Sequence, residues 1–204
     1  MFPKRRHFQI KQLIRKHKGD NTATVLEIGC GLGTLASILP KNEGFNYIGF
    51  EPSQVRAEFC KKRGLNVIHG FYNFESINDY IDAIVIDNVL EHVFEPKTLI
   101  CDMLSVLKKD GILIIIVPNL FDVRQYVSSY WYNRHHWQPQ CHINYFCSKD
   151  LKYIFKDYNI KMKSFDVSLL DFNKIIDLLY VPKYLLDRLG LYLMGLSFYV
   201  INKS

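Results

Sequence analysis

The spacing of hydrophobic and polar positions changes along the chain in a way that marks alternating strands and helices. Phe8, Ile10, Leu13 and Ile14 are apolar in an otherwise polar stretch, the one-sided stripe of an amphipathic leading helix over residues 1–19. Residues 24–28 form a short β-prone apolar run that stops at a glycine, and Leu35, Ala36, Ile38 and Leu39 then follow at helical spacing. Residues 45–50 and 66–69 predict the next two strands. The helix between them opens at Pro52-Ser53, with Ser53 as its N-cap and Val55, Ala57 and Phe59 behind it. Residues 81–87 and 112–117 are near-continuous apolar runs, the mark of strands buried on both faces. Between those runs Leu99, Ile100, Met103, Leu104 and Leu107 form the stripe of a crossover helix that starts at Pro96 and closes at Lys108-Lys109-Asp110-Gly111. A final apolar run, 196–201, predicts a closing strand. Strands alternating with crossover helices predict an α/β fold around a parallel sheet.

Candidate chemistry concentrates where the predicted strands end. Gly29, Gly31 and Gly33 separate the first strand from the helical run, and glycine lets a ligand approach bare backbone N–H groups and a positive helix end. A dinucleotide fingerprint of the form Gly-x-Gly-x-x-Gly requires glycine at position 34, where the chain has Thr34. Glu27 precedes the glycines, and Glu51 ends the second strand about 20 residues past them, a spacing at which a carboxylate accepts hydrogen bonds from ribose hydroxyls. After the fourth strand comes Asn88-Val89-Leu90-Glu91-His92-Val93, and after the fifth Pro118-Asn119.

Taken in order, Glu27 with Gly-x-Gly-x-Gly, Glu51, Leu90-Glu91-His92, Leu107-Lys108-x-x-Gly111 and Pro118-Asn119 resemble the class I S-adenosylmethionine-dependent methyltransferases. Cys141-His142-Ile143-Asn144-Tyr145-Phe146, Ser148 and Leu151 resemble a later segment of the subgroup with Leu-Glu-His after strand four, which includes small-molecule and glycan O-methyltransferases. The resemblance runs from about residue 20 to residue 165. It implies a Rossmann-like, seven-stranded, mostly parallel sheet with helices on both faces and an antiparallel edge hairpin, in a single domain over 1–204. It also implies S-adenosyl-L-methionine as cofactor, held by Glu27, Gly29, Cys30, Gly31, Glu51, Pro52, Ser53, Gly70, Phe71, Asn88 and Val89. Residues 120–147 become a lid over the acceptor, with Tyr126, Trp131, His136 and Tyr145 facing it. One departure stands out: many family members read the adenine amino group with an Asp after strand three, whereas here Gly70-Phe71-Tyr72-Asn73-Phe74-Glu75 contains none. Backbone groups at Gly70-Phe71 with an aromatic ring substitute for it in this reading.

Methyl transfer from a sulfonium is an in-line displacement, so much of its catalysis is positioning. A hydroxyl acceptor additionally needs its proton removed, and His92 and His142 are the candidate bases. Each also reads as a structural histidine, His92 orienting its loop and His142 buried in a hydrogen bond. The stretch from His135 to Cys147 has metal-capable residues, but its spacing matches no zinc pattern, so no metal is expected. Asp87-Asn88-Val89-Leu90 lacks the Asn/Asp-Pro-Pro-Tyr of enzymes that methylate exocyclic base amines. Neither Pro118-Asn119 nor Pro139-Gln140-Cys141 supplies a Pro-Cys nucleophile for cytosine C5.

Composition narrows the setting. With 204 residues, 49% of them hydrophobic and 14% aromatic, the chain suits one globular domain. Five cysteines without a CxxC pair, and no apolar segment behind the basic N-terminus, predict reduced thiols in a cytoplasmic protein. The apolar stretch 189–201 is too short to span a bilayer. The net charge of +6 lies at one end: residues 1–18 carry seven basic and no acidic residues, and the remainder balances 19 against 20. The leading helix is either a solvated face over the glycine loop or a surface that steers an anionic acceptor, and seven charges are too few to imply nucleic acid. The expected acceptor is a small polar metabolite such as a sugar or a nucleotide-linked glycan precursor. The alternatives are an RNA or protein methyltransferase docked through the helix, a nicotinamide oxidoreductase, and a non-catalytic scaffold that keeps the donor fold.

Overall fold

The computed structural model describes residues 5–74, 77, 81–121, 138–162 and 196–201. Helix α1 (Arg5–Lys18) leads into strand β1 (Ala23–Ile28), followed by β2 (Phe45–Glu51), α2 (Gln54–Lys62), β3 (Val67–His69) and β4 (Ile81–Asp87). Then come α3 (Pro96–Val106), β5 (Leu107–Val117), α4 (Ser148–Ile154), β6 (Asn159–Met162) and β7 (Leu196–Ile201). Strands β1 to β5 pair in parallel in the order β3-β2-β1-β4-β5, the α/β arrangement expected from the pattern. Strand β7 runs antiparallel to both β5 and β6.

Both faces of the parallel strands are apolar because each is covered. Leu26, Ile28, Ile84, Ile86, Leu113 and Ile115 pack on one side with Leu99, Ile100 and Met103 of α3 and with Phe146, Leu151 and Phe155. Their strand neighbours Val25, Ala83, Val85, Ile112, Ile114 and Ile116 point the opposite way, against Ile10 and Ile14 of α1 and Leu35 and Leu39. A period of two therefore feeds two cores at once, which explains the continuous apolar runs in the sequence.

At the amino end of the sheet, Asp82 is almost fully buried and fully engaged. It accepts the Thr24 N–H at 2.9 Å, and both Lys18 Nζ and Lys108 Nζ approach it at 2.9 Å. Lys18 also reaches Asp110 at 3.3 Å. The basic residues of α1 are largely committed within the fold: Arg6 to Asp87, Lys11 to Glu43, and Arg15 to the Glu43 carbonyl and the Phe45 ring.

Three local expectations change. No α-helix follows the glycines; turns lead to a 3-10 turn, Ala36–Ile38, and a second one, Lys41–Glu43, follows Pro40, which lacks the N–H that a continuing helix would need. Helix α3 stops at Val106, and residues 107–111 belong to β5, whose pairing with β4 shifts register between Ile81 and Ala83. Ser53 occupies the N-cap position of α2 without a side-chain cap bond, and the helix buries Ala57 and Cys60 while Val55 and Phe59 remain exposed. Among the described residues no helix is long and apolar enough to cross a membrane.

Candidate active site

In the order β3-β2-β1-β4-β5, the chain reverses its direction of travel across the sheet between β1 and β4. Open α/β sheets bind ligands at this switch point, beyond the carboxyl ends of the strands. The glycine loop leaves β1 there, and residues 88–93 leave β4 beside it.

All three loop glycines have left-handed backbone, with φ of 72°, 57° and 68° at Gly29, Gly31 and Gly33. A Cβ on Gly29 would collide with Val89 Cγ2, and one on Gly33 with Leu65 Cδ1, so these two close the loop against its neighbours. Gly31 differs: a Cβ there would meet nothing within 4 Å, so its Cα faces open space. The loop's amide groups are not bare, as the sequence had implied. Gly29 and Cys30 N–H both donate to the Phe50 carbonyl, at 2.9 and 3.0 Å. Gly31 N–H donates to Glu51 Oε2 at 2.8 Å, and Gly33 N–H to the Cys30 carbonyl at 3.0 Å. A loop that spends these donors internally is poorly suited to grip a diphosphate.

Charge points the same way. Glu27, Glu51, Asp87 and Glu91 gather at this end of the sheet. Glu51 is buried, and its second oxygen accepts the Ser53 N–H at 2.9 Å. Glu27 accepts a hydrogen bond from Tyr47 Oη, and burial pushes its carboxyl up to about 8. Asp87 lies 3.0 Å from Arg6 Nε, so the leading helix reaches the exit of β4. Asn88 next to it has φ of 54°, a left-handed conformation that Asn tolerates, and its amide donates to Asp87 Oδ1 at 3.0 Å. Pro52 is exposed beside Glu51. Gly70 N–H donates to the Glu51 carbonyl at 3.0 Å, and the Phe71 ring is 81% exposed next to it. Cys30 turns its side chain inward, to the space beside Gly49. The structure thus places Glu27, Gly29, Cys30, Gly31, Glu51, Pro52, Ser53, Gly70, Phe71, Asn88 and Val89 at or just beyond the carboxyl ends of β1, β2, β3 and β4.

The second half of the site comes from residues far apart in sequence. Ile143 and Asn144 N–H donate to the Glu91 carbonyl at 2.9 and 3.0 Å, and Asn144 Nδ2 donates to the Val93 carbonyl at 2.6 Å. His92 Nδ1 is 2.7 Å from the Cys141 carbonyl. A carbonyl only accepts, so Nδ1 carries the proton and Nε2 the lone pair when the ring is neutral. These bonds set the His92 and His142 rings edge to face, 4.9 Å between centroids, with His92 exposed and His142 buried. Tyr145 packs edge-on to His142 at 6.1 Å. Tyr126, Trp131 and His136, with most of the 120–147 insertion, lie outside the described residues.

Sequence reasoning gave no role to Glu91. Its side chain is 1% exposed, neither oxygen has a hydrogen-bond partner, and burial pushes its carboxyl up to about 7. The available signal was its place beside a histidine at the exit of a buried strand. Nor did the sequence indicate that Arg6 meets Asp87, since helix and strand are separated by most of the sheet's first half.

A methyltransferase domain family matches residues 4–164. Among curated relatives, a ubiquinone biosynthesis O-methyltransferase of Rickettsia prowazekii (strain Madrid E) is 28% identical over 123 residues, covering 55% of this chain and 48% of that protein. Another, from Actinobacillus pleuropneumoniae serotype 7 (strain AP76), is 30% identical over 110 residues, covering 47% and 45%. The chain spans about half the length of the curated relatives it matches. In fold it resembles a SAM-dependent methyltransferase from Archaeoglobus fulgidus, with TM-score 0.61, 21% identity, and coverage of 97% and 92% of the two chains. It also resembles the plantazolicin methyltransferase BpumL in complex with a triazolic desmethylPZN analog and SAH, with TM-score 0.68, 18% identity and coverage of 98% and 83%. With the family match covering most of its length and the glycine loop at the switch point of its sheet, the chain belongs to the methyltransferase domain family, the class I S-adenosylmethionine-dependent methyltransferases.

Proposed function

We propose that the protein transfers the methyl group of S-adenosylmethionine to a hydroxyl oxygen of a small polar molecule, such as a sugar or a nucleotide-linked glycan precursor. The observation that carries the donor assignment is the carboxyl edge of the sheet at its switch point: glycine-loop donors spent internally, Gly31 open, and carboxylates gathered around it. That environment favours a ligand bearing a sulfonium and an ammonium over a dinucleotide diphosphate. Glu51 receives the ribose hydroxyls, Glu27 faces the cationic end, and Gly70-Phe71 with Asn88-Val89 flank the adenine and methionine portions. The small-molecule hydroxyl acceptor is supported by the relatives, which are named O-methyltransferases of ubiquinone biosynthesis.

In this reading residues 1–204 form one domain, β6 and β7 complete a seven-stranded sheet with an antiparallel edge, and residues 120–147 cover the acceptor. His92 Nε2 takes the acceptor proton as the methyl is transferred, with His142 beside it, and Tyr126, Trp131, His136 and Tyr145 line the acceptor side. The internal pairing of Arg6, Lys11, Arg15 and Lys18 leaves less of α1 for an anionic partner and disfavours RNA docking. Calorimetry with S-adenosylmethionine and S-adenosylhomocysteine, beside NAD as control, tests the donor. Release of S-adenosylhomocysteine across a panel of hydroxylated metabolites tests the acceptor. His92→Ala or His142→Ala lowers turnover about 10²–10⁴-fold with donor affinity unchanged if a base is used. Two near-normal variants would move the acceptor to a carboxylate or an amine.

A further inference from the structure

The ring pair at the acceptor side has a third member. Ligand-capable atoms of His92, Cys141 and His142 all lie within 4.8 Å of one another. Tetrahedral bonds of 2.0–2.3 Å separate ligand atoms by about 3.5 Å, so a shift of about 1 Å closes this group around an ion. Two of the three, His92 and Cys141, are exposed, and Cys141 exchanges a 3.3 Å hydrogen bond from its thiol to Gln138 Oε1 for the ion.

Two further features favour a cation here. His92 donates its Nδ1 proton to the Cys141 carbonyl at 2.7 Å, the outer hydrogen bond by which a ligating imidazole is oriented with its Nε2 lone pair facing a metal. Glu91 Oε1 lies 4.0 Å from His92 Nε2, and neither of its buried oxygens is hydrogen-bonded by another residue. We infer that His92, Cys141 and His142 form a site for a borderline-soft divalent cation of the zinc class, with the Glu91 carboxylate as its charge-balancing neighbour. Two imidazoles and a thiolate select zinc or cobalt over magnesium or calcium, which require oxygen ligands. No spacing rule along the sequence finds this group, because His92 enters it from 49 residues before Cys141.

The site makes cation binding and base catalysis compete for one lone pair. Where His92 acts as base, an inference that rests on the proposed function, zinc inhibits turnover and a chelator restores it. Binding itself is independent of that reading and is tested without an acceptor. Chelator-treated full-length protein titrated with cobalt(II) develops a thiolate-to-cobalt charge-transfer band, and zinc displaces it at one equivalent. Magnesium at millimolar concentration leaves the band unchanged. Cys141→Ser abolishes the band, and His142→Gln weakens zinc binding at least about 100-fold. Cys141→Ser also retains metal-free turnover while losing inhibition by zinc, since it replaces only the thiol and keeps the backbone carbonyl that orients His92. Donor calorimetry on both variants confirms that they are folded. Absence of a charge-transfer band in a protein that binds donor, or equal zinc affinity in Cys141→Ser, overturns the site. A zinc-binding protein whose His92→Ala variant turns over normally keeps the site and rejects the base.

Discussion

The two ends of the sheet treat a buried carboxylate in opposite ways. At the amino end Asp82 meets two ammonium groups and a backbone N–H. Burial alone would raise its carboxyl, yet the bonds from Lys18, Thr24 and Lys108 outweigh that and hold it below the ordinary range. At the carboxyl end Glu27 has one donor, Tyr47, and faces the like charges of Asp87 and Glu51 with the charge of Arg6 against them, so burial wins and the carboxyl rises to about 8. The strands are adjacent and both acids are nearly inaccessible. What separates them is whether the fold supplies the countercharge. Asp82 is satisfied by the chain alone; Glu27 is not.

Breaking the satisfied end has the largest effect. Asp82→Ala leaves two ammonium groups and an amide facing a void and lowers stability by about 3 kcal/mol, the low side for a buried pair because Lys108 is partly exposed. The folded group has the lower pKa, so its stabilisation is present above the ordinary carboxylate range and fades as pH falls. Urea unfolding at neutral and acidic pH measures both, and donor affinity of the folded fraction stays unchanged. A stable Asp82→Ala protein would remove the structural half of the contrast. Next in size is Gly29→Ala, which sets a methyl against Val89 at a left-handed φ of 72° and costs about 2–3 kcal/mol, with donor affinity falling in parallel. Gly31→Ala meets no protein atom and separates the two effects: stability loses only the backbone strain, while donor binding is lost.

What the sequence disclosed follows from the range of the physics involved. Period-two apolar runs and glycine punctuation report local backbone and burial, so the five parallel strands and the loop at their switch point were legible. The helix expected after Gly33 was not formed: Leu35, Ala36, Ile38 and Leu39 have helical spacing, but Pro40 interrupts it and leaves two short 3-10 turns. The destination of the loop's amide groups was invisible: Phe50 and Glu51, which receive them, belong to the next strand. The same holds for His92 and Cys141, whose contact depends on backbone bonds from Glu91 to Ile143 and Asn144. Glu91 looked like one residue of a motif, and only its burial shows a carboxylate without a partner.

Glu51 lies between the two extremes, since it is buried yet bonded to Gly31 and Ser53. Its removal tests whether it holds the loop, the ligand or both. Glu51→Ala weakens donor binding by about 1.5–3 kcal/mol for each charge-assisted bond lost. Glu51→Gln keeps an acceptor oxygen for Gly31 and recovers part of the stability but little of the affinity. Equal donor affinity in a folded Glu51→Ala protein would assign the residue to the loop alone.

The effect that is smallest per pH unit, and the sharpest, belongs to Glu27. Its folded value of about 8 lies above the ordinary 4.5, so the unfolded chain releases this proton first. The contribution of Glu27 to stability is therefore full below about pH 4.5 and declines as pH rises toward 8, by at most about 1.4 kcal/mol per pH unit, and Glu27→Gln removes that slope. A donor carrying positive charge reverses the preference, because it supplies the countercharge that the fold withholds. Binding near pH 7 then expels up to one proton, and donor affinity rises with pH by at most about tenfold per unit until Glu27 is ionised in the empty site. Calorimetry in two buffers of different ionisation enthalpy reads the expelled proton directly. The wild type shows a buffer-dependent heat, and Glu27→Gln shows none and binds more weakly. If the wild-type heat is the same in both buffers, no positively charged ligand group meets Glu27, and the contrast between the two ends reduces to one of hydrogen bonding.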